Sequence, residues 1–372
     1  MEGSKIKICF ILTHLPQGGA ERQTINLIRG LSPSFYDVTL LLYAGDYLFY
    51  KEVFDLPVRL IVNPSSSGSK INRNLKNAIF LRKSLQKNNF DILHTLLGHN
   101  GFWVRLLAPR KYRNRIIYSI RNDIYDNPGV FLAFERFLIK NSYVITNSQK
   151  VLDQFRAYIG PDKLGNRASL IYNGFETGRF ISEEPAIVSD EIILGTVGRQ
   201  SSQKNQIQII QAVEELAPNY PVRLFLIGDK TQNRGQANEA YVKVHQLDNY
   251  VTILDSQQEI EEFYKRFNIF ILASVYESCP NVLFEAMLSR CLCIVSANAN
   301  TDRFIQDGEN GLVYDGSLSM LVEKIKQAMN MVRTGNHLTM VEKGCKYAGE
   351  NFSTERMIRS YEEVYDKIIE RN

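Results

Sequence analysis

A chain of 372 residues is longer than one ordinary hydrophobic core supports, so two domains are expected. With 44% hydrophobic and 23% charged residues it has the composition of a soluble globular protein, and no apolar run approaches the roughly 20 residues of a membrane helix. The net charge of +4 is unevenly spread: residues 1–185 hold 25 Lys and Arg against 15 Asp and Glu, the remainder 19 against 25.

The first apolar run, Ile6–Leu12, reads as a strand and not as a signal peptide, because Gln17-Gly18-Gly19-Ala20-Glu21 after it makes a poor cleavage site. Pro16 to Arg22 joins this strand to a first helix. Gly18 and Gly19 there would let a ligand approach the backbone and the helix N–H groups, or form an ordinary tight turn. Neither a Gly-x-Gly-x-x-Gly fingerprint nor a Walker loop occurs. Strands are expected next near Val38–Tyr43 and Val58–Val62, then a flexible loop at Ser65-Ser66-Ser67-Gly68-Ser69.

The basic excess concentrates in Lys70-Ile71-Asn72-Arg73-Asn74-Leu75-Lys76, Arg82-Lys83 and Arg105 to Arg115. One reading is solvated helix faces; the other is a patch that docks on an anionic membrane leaflet or binds a diphosphate-bearing acceptor. Nucleic acid is not expected, since aromatics do not interleave these charges and no nucleic-acid motif is present. Further strands are expected at Asp91–Thr95, Arg115–Ile120, Tyr143–Thr146 and Ser169–Tyr172. His94 and His99 lie at and beyond the end of the first of these, where a histidine can position a hydroxyl or take its proton, or simply pack. Arg121-Asn122-Asp123 sits at an equivalent strand mouth as a candidate acceptor contact, and Asn173-Gly174-Phe175 reads as a turn lining the cleft.

Ile181 to Asp190 reads as a linker, after which the alternation restarts at Ile192–Val197, Val222–Ile227, Tyr250–Leu254, Asn268–Leu272 and Leu292–Ser296. Strands alternating with amphipathic helices mean parallel βαβ units, here two doubly wound halves with a cleft between them. In Gly198-Arg199-Gln200-Ser201-Ser202-Gln203-Lys204-Asn205, Lys204 stands at the N-terminus of a helix, Gln206–Leu216, where the dipole disfavours a cation unless an anion binds. Arg199 offers a forked donor and Lys204 a point charge, together enough to neutralise a diphosphate leaving group without a metal.

The stretch Glu277-Ser278-Cys279-Pro280-Asn281-Val282-Leu283-Phe284-Glu285 follows a buried strand and enters an apolar helix. Pro280 suits the first helical turn, with Ser278 or Cys279 near the cap. Glu277 is thus placed on a strand-to-helix loop and Glu285 inside the helix, two acids able to hold a polyhydroxylated ligand at a strand C-terminal mouth. Five scattered cysteines fit a reducing compartment, and five histidines without ligand-like spacing, with no Asp-x-Asp, argue against a metal site. Ser353-Thr354-Glu355-Arg356 opens a last helix with Met357, Ile358, Tyr361, Val364, Tyr365 and Ile368 on one side.

In Gly18-Gly19-Ala20-Glu21-Arg22, Asn147-Ser148, Asn173-Gly174, Gly198-Arg199 with Lys204, Gly228-Asp229, the Glu277/Glu285 pair and Asp307-Gly308-Glu309-Asn310-Gly311, the chain resembles the retaining glycosyltransferases of family 4, which have the GT-B fold of two Rossmann-like domains. The resemblance spans nearly the whole chain, and its order and spacing are specific where any one motif is not. It implies a nucleotide-sugar donor held mainly by the C-terminal domain. Arg199 and Lys204 would take the diphosphate, Glu285 the ribose, Glu277 the sugar ring, and the N–H groups of Asn281 and Val282 the sugar or phosphates; Gly19 would approach the diphosphate from the other domain. Many relatives carry a His-x-His at the strand mouth; here the second place is Leu96, with His99 the candidate substitute. Many have a glycine pair where this chain has Asn298-Ala299-Asn300-Thr301-Asp302, a departure bearing on donor or acceptor choice.

The expectation is therefore an N-terminal acceptor domain over 1–185, a donor domain over 186–352 and a last helix, 353–372, crossing back. The activity would be metal-independent, retaining transfer of a hexose or N-acetylhexosamine from a nucleotide diphosphate, UDP for preference, to a saccharide acceptor that is lipid-linked or part of the cell envelope. Glu277, Arg199, Lys204 and His99 are the catalytic candidates; His94, His99, Arg121 and Asn122 are those for the acceptor. No cofactor is expected, and the location is the cytoplasm, peripheral on the inner membrane face. The rivals are a nucleotide-sugar 2-epimerase on the same fold and an inactive subunit binding a partner or membrane.

Overall fold

Runs of β-branched and aliphatic residues, each followed by a helix, build two all-parallel sheets in the computed structural model, which describes residues 4–13, 19–44, 51–64, 70–96, 98–121, 129–231 and 233–370. Gly18 and Asn122 lie outside them. The chain divides into two compact units, Met1–Gly174 with Thr354–Asn372, and Phe175–Ser353. Residues 175–185, counted with the first half from sequence, belong to the second unit.

In the first unit the elements follow as β1 (Ile6–Leu12), α1 (Gly19–Gly30), β2 (Tyr36–Leu42), β3 (Val58–Val62), α2 (Lys70–Lys87), β4 (Ile92–Leu96), α3 (Gly98–Leu107), β5 (Ile116–Ile120), α4 (Gly129–Leu138), β6 (Ser142–Thr146), α5 (Gln149–Ile159), α6 (Pro161–Leu164) and β7 (Ala168–Leu170). Their sheet runs β3-β2-β1-β4-β5-β6-β7, so the strand order reverses between β1 and β4. Every residue of β4, β5 and β6 is buried, as expected of parallel strands covered on both faces. One face packs Leu81 and Leu85 of α2 and Val104 of α3 against Ile11 and Leu93. The other packs α1 and the chain's last helix.

The second unit holds α7 (Thr177–Phe180), β8 (Ile192–Val197), α8 (Gln206–Leu216), β9 (Val222–Ile227), α9 (Asn233–Val244), β10 (Val251–Leu254), α10 (Ile260–Tyr264), β11 (Ile269–Leu272), α11 (Asn281–Leu288), β12 (Leu292–Ser296), β13 (Leu312–Tyr314), α12 (Leu318–Thr334) and α13 (Leu338–Asn351). Its sheet, β10-β9-β8-β11-β12-β13, reverses between β8 and β11. Such a reversal opens the loops at the strand C-termini to opposite sides, which makes it the place where an open α/β sheet takes a ligand.

The last helix, α14 (Thr354–Glu370), returns to the first unit. Met357, Tyr361, Val364, Tyr365 and Ile368 recur three or four residues apart along one side and are buried against Ile8, Phe10 and Ile28. Among the described residues no helix is long and apolar enough to cross a membrane, and all five cysteines are free and buried.

Candidate active site

The strand reversal of the second unit brings together the two loops that carry Lys204 and Glu277. The first, Gly198 to Asn205, leaves β8 with Gly198 at φ 146°, and Gly228 at the end of β9 has φ 149°. Both angles favour glycine, and a Cβ on Gly228 would stand 2.2 Å from the Gly198 carbonyl oxygen. Backbone meets backbone here, leaving no side chain to yield. The buried Gln206 then pins the loop by donating from Nε2 to the carbonyls of Gly198 and Arg199, at 3.3 and 3.1 Å. Asn205 enters α8 in the left-handed conformation, φ 51°, and leaves its helix end without a side-chain cap.

The second loop follows β11 and is stitched to the first. Val275 N–H donates to the Gln203 carbonyl at 2.7 Å, and Gln203 Nε2 donates to the Tyr276 carbonyl at 3.1 Å. With the loops so fixed, Lys204 Nζ lies 2.5 Å from Glu277 Oε1, and Ser274 Oγ donates to the same oxygen at 2.6 Å. The Glu277 side chain is 9% exposed and that of Lys204 19%. One carboxylate oxygen therefore carries a cation and a hydroxyl while the loop keeps its opening to solvent through Arg199, which is exposed. Ser274 was not singled out from sequence. Thr301 Oγ1 donates to the Glu277 carbonyl at 3.5 Å, tying in the loop that departs from the glycine pair.

Glu285 sits one turn inside α11. That helix is anchored by Phe284, which stacks on Phe352 with centroids 3.8 Å apart and meets Phe304 edge-on at 4.9 Å, contacts worth about 0.5–1.5 kcal/mol each. Burial raises the Glu285 carboxyl to about 7, against a hydrogen bond from Tyr264 and the charge of Arg179, which lower it. Tyr264 Oη donates to Glu285 Oε2 at 2.8 Å. Arg179 is held in place by Glu261 at 2.8 Å and by the Gln258 carbonyl at 2.7 Å. Neither Tyr264 nor Arg179 was visible as a site residue, since each acts on Glu285 from another element. Pro280 is the residue before the helix and not its first, so the cap expected at Ser278 or Cys279 is corrected. Asn281 and Val282 are the first two helical residues, and their N–H groups lie ahead of the first intrahelical bond.

Two residues expected to face an acceptor prove to be internal. His94 is fully buried in the first unit, with Nδ1 3.0 Å from the Tyr365 hydroxyl and Nε2 2.9 Å from that of Ser119. Burial, with the charge of Arg121 adding to it, lowers the imidazole to about 3, so it is neutral and presents no nitrogen to a ligand. Arg121 is 6% exposed and donates to Asn173 Oδ1 at 2.6 Å and to the Tyr361 hydroxyl at 3.1 Å. Both residues fasten α14 to the first sheet. Their strand-end positions looked functional because the partners on α14 are more than two hundred residues away. Gly19 opens α1, and His99 lies in the first turn of α3; its side chain falls outside what the structure describes. Leu96, which occupies the expected second histidine place, is a buried β4 residue.

Two family models match side by side, "Glycosyltransferase Family 4" over residues 17–179 and "Glycosyl transferases group 1" over 179–341. The chain is similar to a UDP-Gal:alpha-D-GlcNAc-diphosphoundecaprenol alpha-1,3-galactosyltransferase of Escherichia coli, 24% identical over 369 residues, covering 92% of each chain. It is also 24% identical over 332 residues to a Campylobacter jejuni alpha-1,4-N-acetyl-D-galactosaminyltransferase named for a GalNAc-bearing diNAcBac-PP-undecaprenol, covering 87% of this chain and 89% of that one. Among solved structures, a glycosyltransferase from Rickettsia africae ESF-5 superposes over the whole of both chains with a TM-score of 0.84 at 20% identity.

Proposed function

Because the chain belongs to the GT-B glycosyltransferases of family 4 type, we propose that it transfers a hexose or N-acetylhexosamine from a UDP-sugar to a hydroxyl of a lipid-linked or cell-envelope saccharide, with retention and without a metal. The observation that carries this reading is the Lys204–Glu277 contact at the strand reversal between β8 and β11. A sugar diphosphate laid across this reversal meets a cation and a carboxylate already at contact distance.

Lys204 and the exposed Arg199 receive the diphosphate. As the bond from the anomeric carbon to the phosphate oxygen breaks, its electron pair leaves with the diphosphate, and the two cations stabilise the charge that develops there. Glu277, its Oε1 fixed by Lys204 and Ser274, holds the sugar ring by its hydroxyls beside the carbon that gains positive character. The acceptor hydroxyl attacks from the face the leaving group vacates, and its proton passes to the departing phosphate oxygen. Glu285, fixed by Tyr264, accepts from the ribose hydroxyls. The diphosphoundecaprenol-linked acceptors in the names of two relatives support a lipid-linked acceptor presented at a membrane surface.

The test is a screen of UDP-sugars against lipid-diphosphate-linked saccharides, reading released UDP and the anomeric configuration of the product. The expected outcome is acceptor-dependent UDP release, an α-linked product from an α-linked donor, and turnover unchanged by EDTA. Conversion of the donor without acceptor would identify an epimerase instead.

A further inference from the structure

Helix α2 carries an exposed apolar row that its own fold leaves uncovered. Leu81 and Leu85 point into the core of the first unit, yet Ile71, Leu75 and Ile79 are 80%, 61% and 45% exposed. They stand four residues apart, on one ridge of the helix, and the next two places on that ridge are Lys83 and Lys87, both exposed. The helix has no Asp or Glu at all, and Arg73, Lys76 and Arg82 add to its charge. Helix α3 packs beside it, with Arg82 donating to the Leu107 carbonyl at 3.0 Å, and contributes an exposed Leu106 next to the exposed Arg110 and Lys111.

We propose that the α2 ridge is the surface by which the protein docks on an anionic lipid bilayer, with Ile71, Leu75 and Ile79 entering the headgroup–acyl boundary and Lys83 and Lys87 on the phosphates. A helix lies in a membrane interface when an apolar face adjoins a purely basic one, because burial and charge attraction then act together. A second copy of the chain fits this surface poorly, since pairing two α2 ridges would set lysines against lysines when parallel and against Leu75 and Ile71 when antiparallel. The inference rests on the membrane-borne acceptor proposed above and names the surface that reaches it.

Flotation with vesicles of phosphatidylcholine alone, or of an equimolar mixture with phosphatidylglycerol, tests it on the full chain. Binding is expected to the anionic vesicles only and to weaken with salt. Ile71→Ser/Leu75→Ser/Ile79→Ser and Lys83→Gln/Lys87→Gln should each reduce it by at least about tenfold, while Val244→Ser, at an exposed site on α9, leaves it unchanged. UDP binding by calorimetry should stay the same in all variants, which separates this surface from the donor site. Undiminished flotation of either α2 variant, absence of binding at low salt, or a dimer dissolved by the triple substitution would overturn the proposal.

Discussion

Lys204 Nζ and Glu277 Oε1 lie 2.5 Å apart although 73 residues separate them in the chain, and Ser274 holds the same oxygen. The cation proposed for the diphosphate and the carboxylate proposed for the sugar therefore satisfy each other before any donor arrives. In the proposed binding mode a donor takes over part of each partner, so little unpaired charge has to be buried or exposed on binding. Replacing Lys204 alone leaves a nearly buried carboxylate. Lys204→Ala should lower stability in urea unfolding by about 1–3 kcal/mol, and Lys204→Ala/Glu277→Gln should recover part of that loss. Transfer should fall by about a hundredfold or more in both, because both lack the cation that stabilises charge on the leaving group.

The proposed ribose contact of Glu285 would make donor binding depend on pH. With its carboxyl at about 7, much of the empty protein carries it protonated near neutrality, whereas accepting from ribose hydroxyls favours the carboxylate. UDP affinity should rise from pH 6 to pH 8 with release of a proton on binding, seen by calorimetry in buffers of different ionisation enthalpy; the range follows from that value of about 7. Tyr264→Phe removes a hydrogen bond that favours the ionised form and should move the rise to higher pH; Glu285→Gln should abolish it. The sign for folding is opposite. The folded value lies above the ordinary 4.5, so ionisation costs stability, a cost absent below about 4.5 and complete above about 7.

His94 predicts acid sensitivity in the first unit. Its folded value, about 3, lies below the ordinary 6.5, so the unfolded chain takes up the proton first. Stability from this group is full above 6.5 and is lost as the pH falls toward 3, at up to about 1.4 kcal/mol per pH unit. His94→Gln should show a shallower decline between pH 6 and pH 4 in denaturant titrations than the parent, whose slope includes this group. Tyr365→Phe should keep the steep decline while losing about 1 kcal/mol at neutral pH.

Gly228 admits no side chain. A Cβ would meet the Gly198 carbonyl oxygen at 2.2 Å on a backbone of φ 149°. Gly228→Ala should therefore push the β8 loop away from β9, weakening UDP binding by about tenfold or more with a stability loss of about 2 kcal/mol. Gly178→Ala, where a Cβ meets nothing within 4 Å, is the control that should change neither.

Much of the architecture is legible in the chain. Ile6–Leu12, Val58–Val62, Ile192–Val197, Val222–Ile227 and Leu292–Ser296 form strands at the limits their apolar runs mark; all but the partly exposed edge strand Val58–Val62 are largely buried, and strands covered on both faces need runs rich in β-branched and aliphatic residues. Leu312–Tyr314 went unseen; three residues are too few to show a period, and the strand exists by pairing with β12. The α14 stripe is visible as helical spacing, and its return to the first unit follows from the family resemblance. At the site, the residue types at 199, 204, 277 and 285 point to their chemistry, while Ser274, Tyr264 and Arg179 are common residues whose meaning comes only from what they touch. His94 shows the converse: in the middle of a strand whose every residue is buried, a histidine faces protein on both sides, and its partner Tyr365 is 271 residues away.

The most direct test of transfer at Glu277 is UDP release from a UDP-sugar, with and without a lipid-diphosphate-linked saccharide, by the parent protein and by Glu277→Gln. Acceptor-dependent release is expected from the parent, at least about a hundredfold less from the variant, with UDP affinity little changed between them. Equal turnover by Glu277→Gln would contradict that expectation.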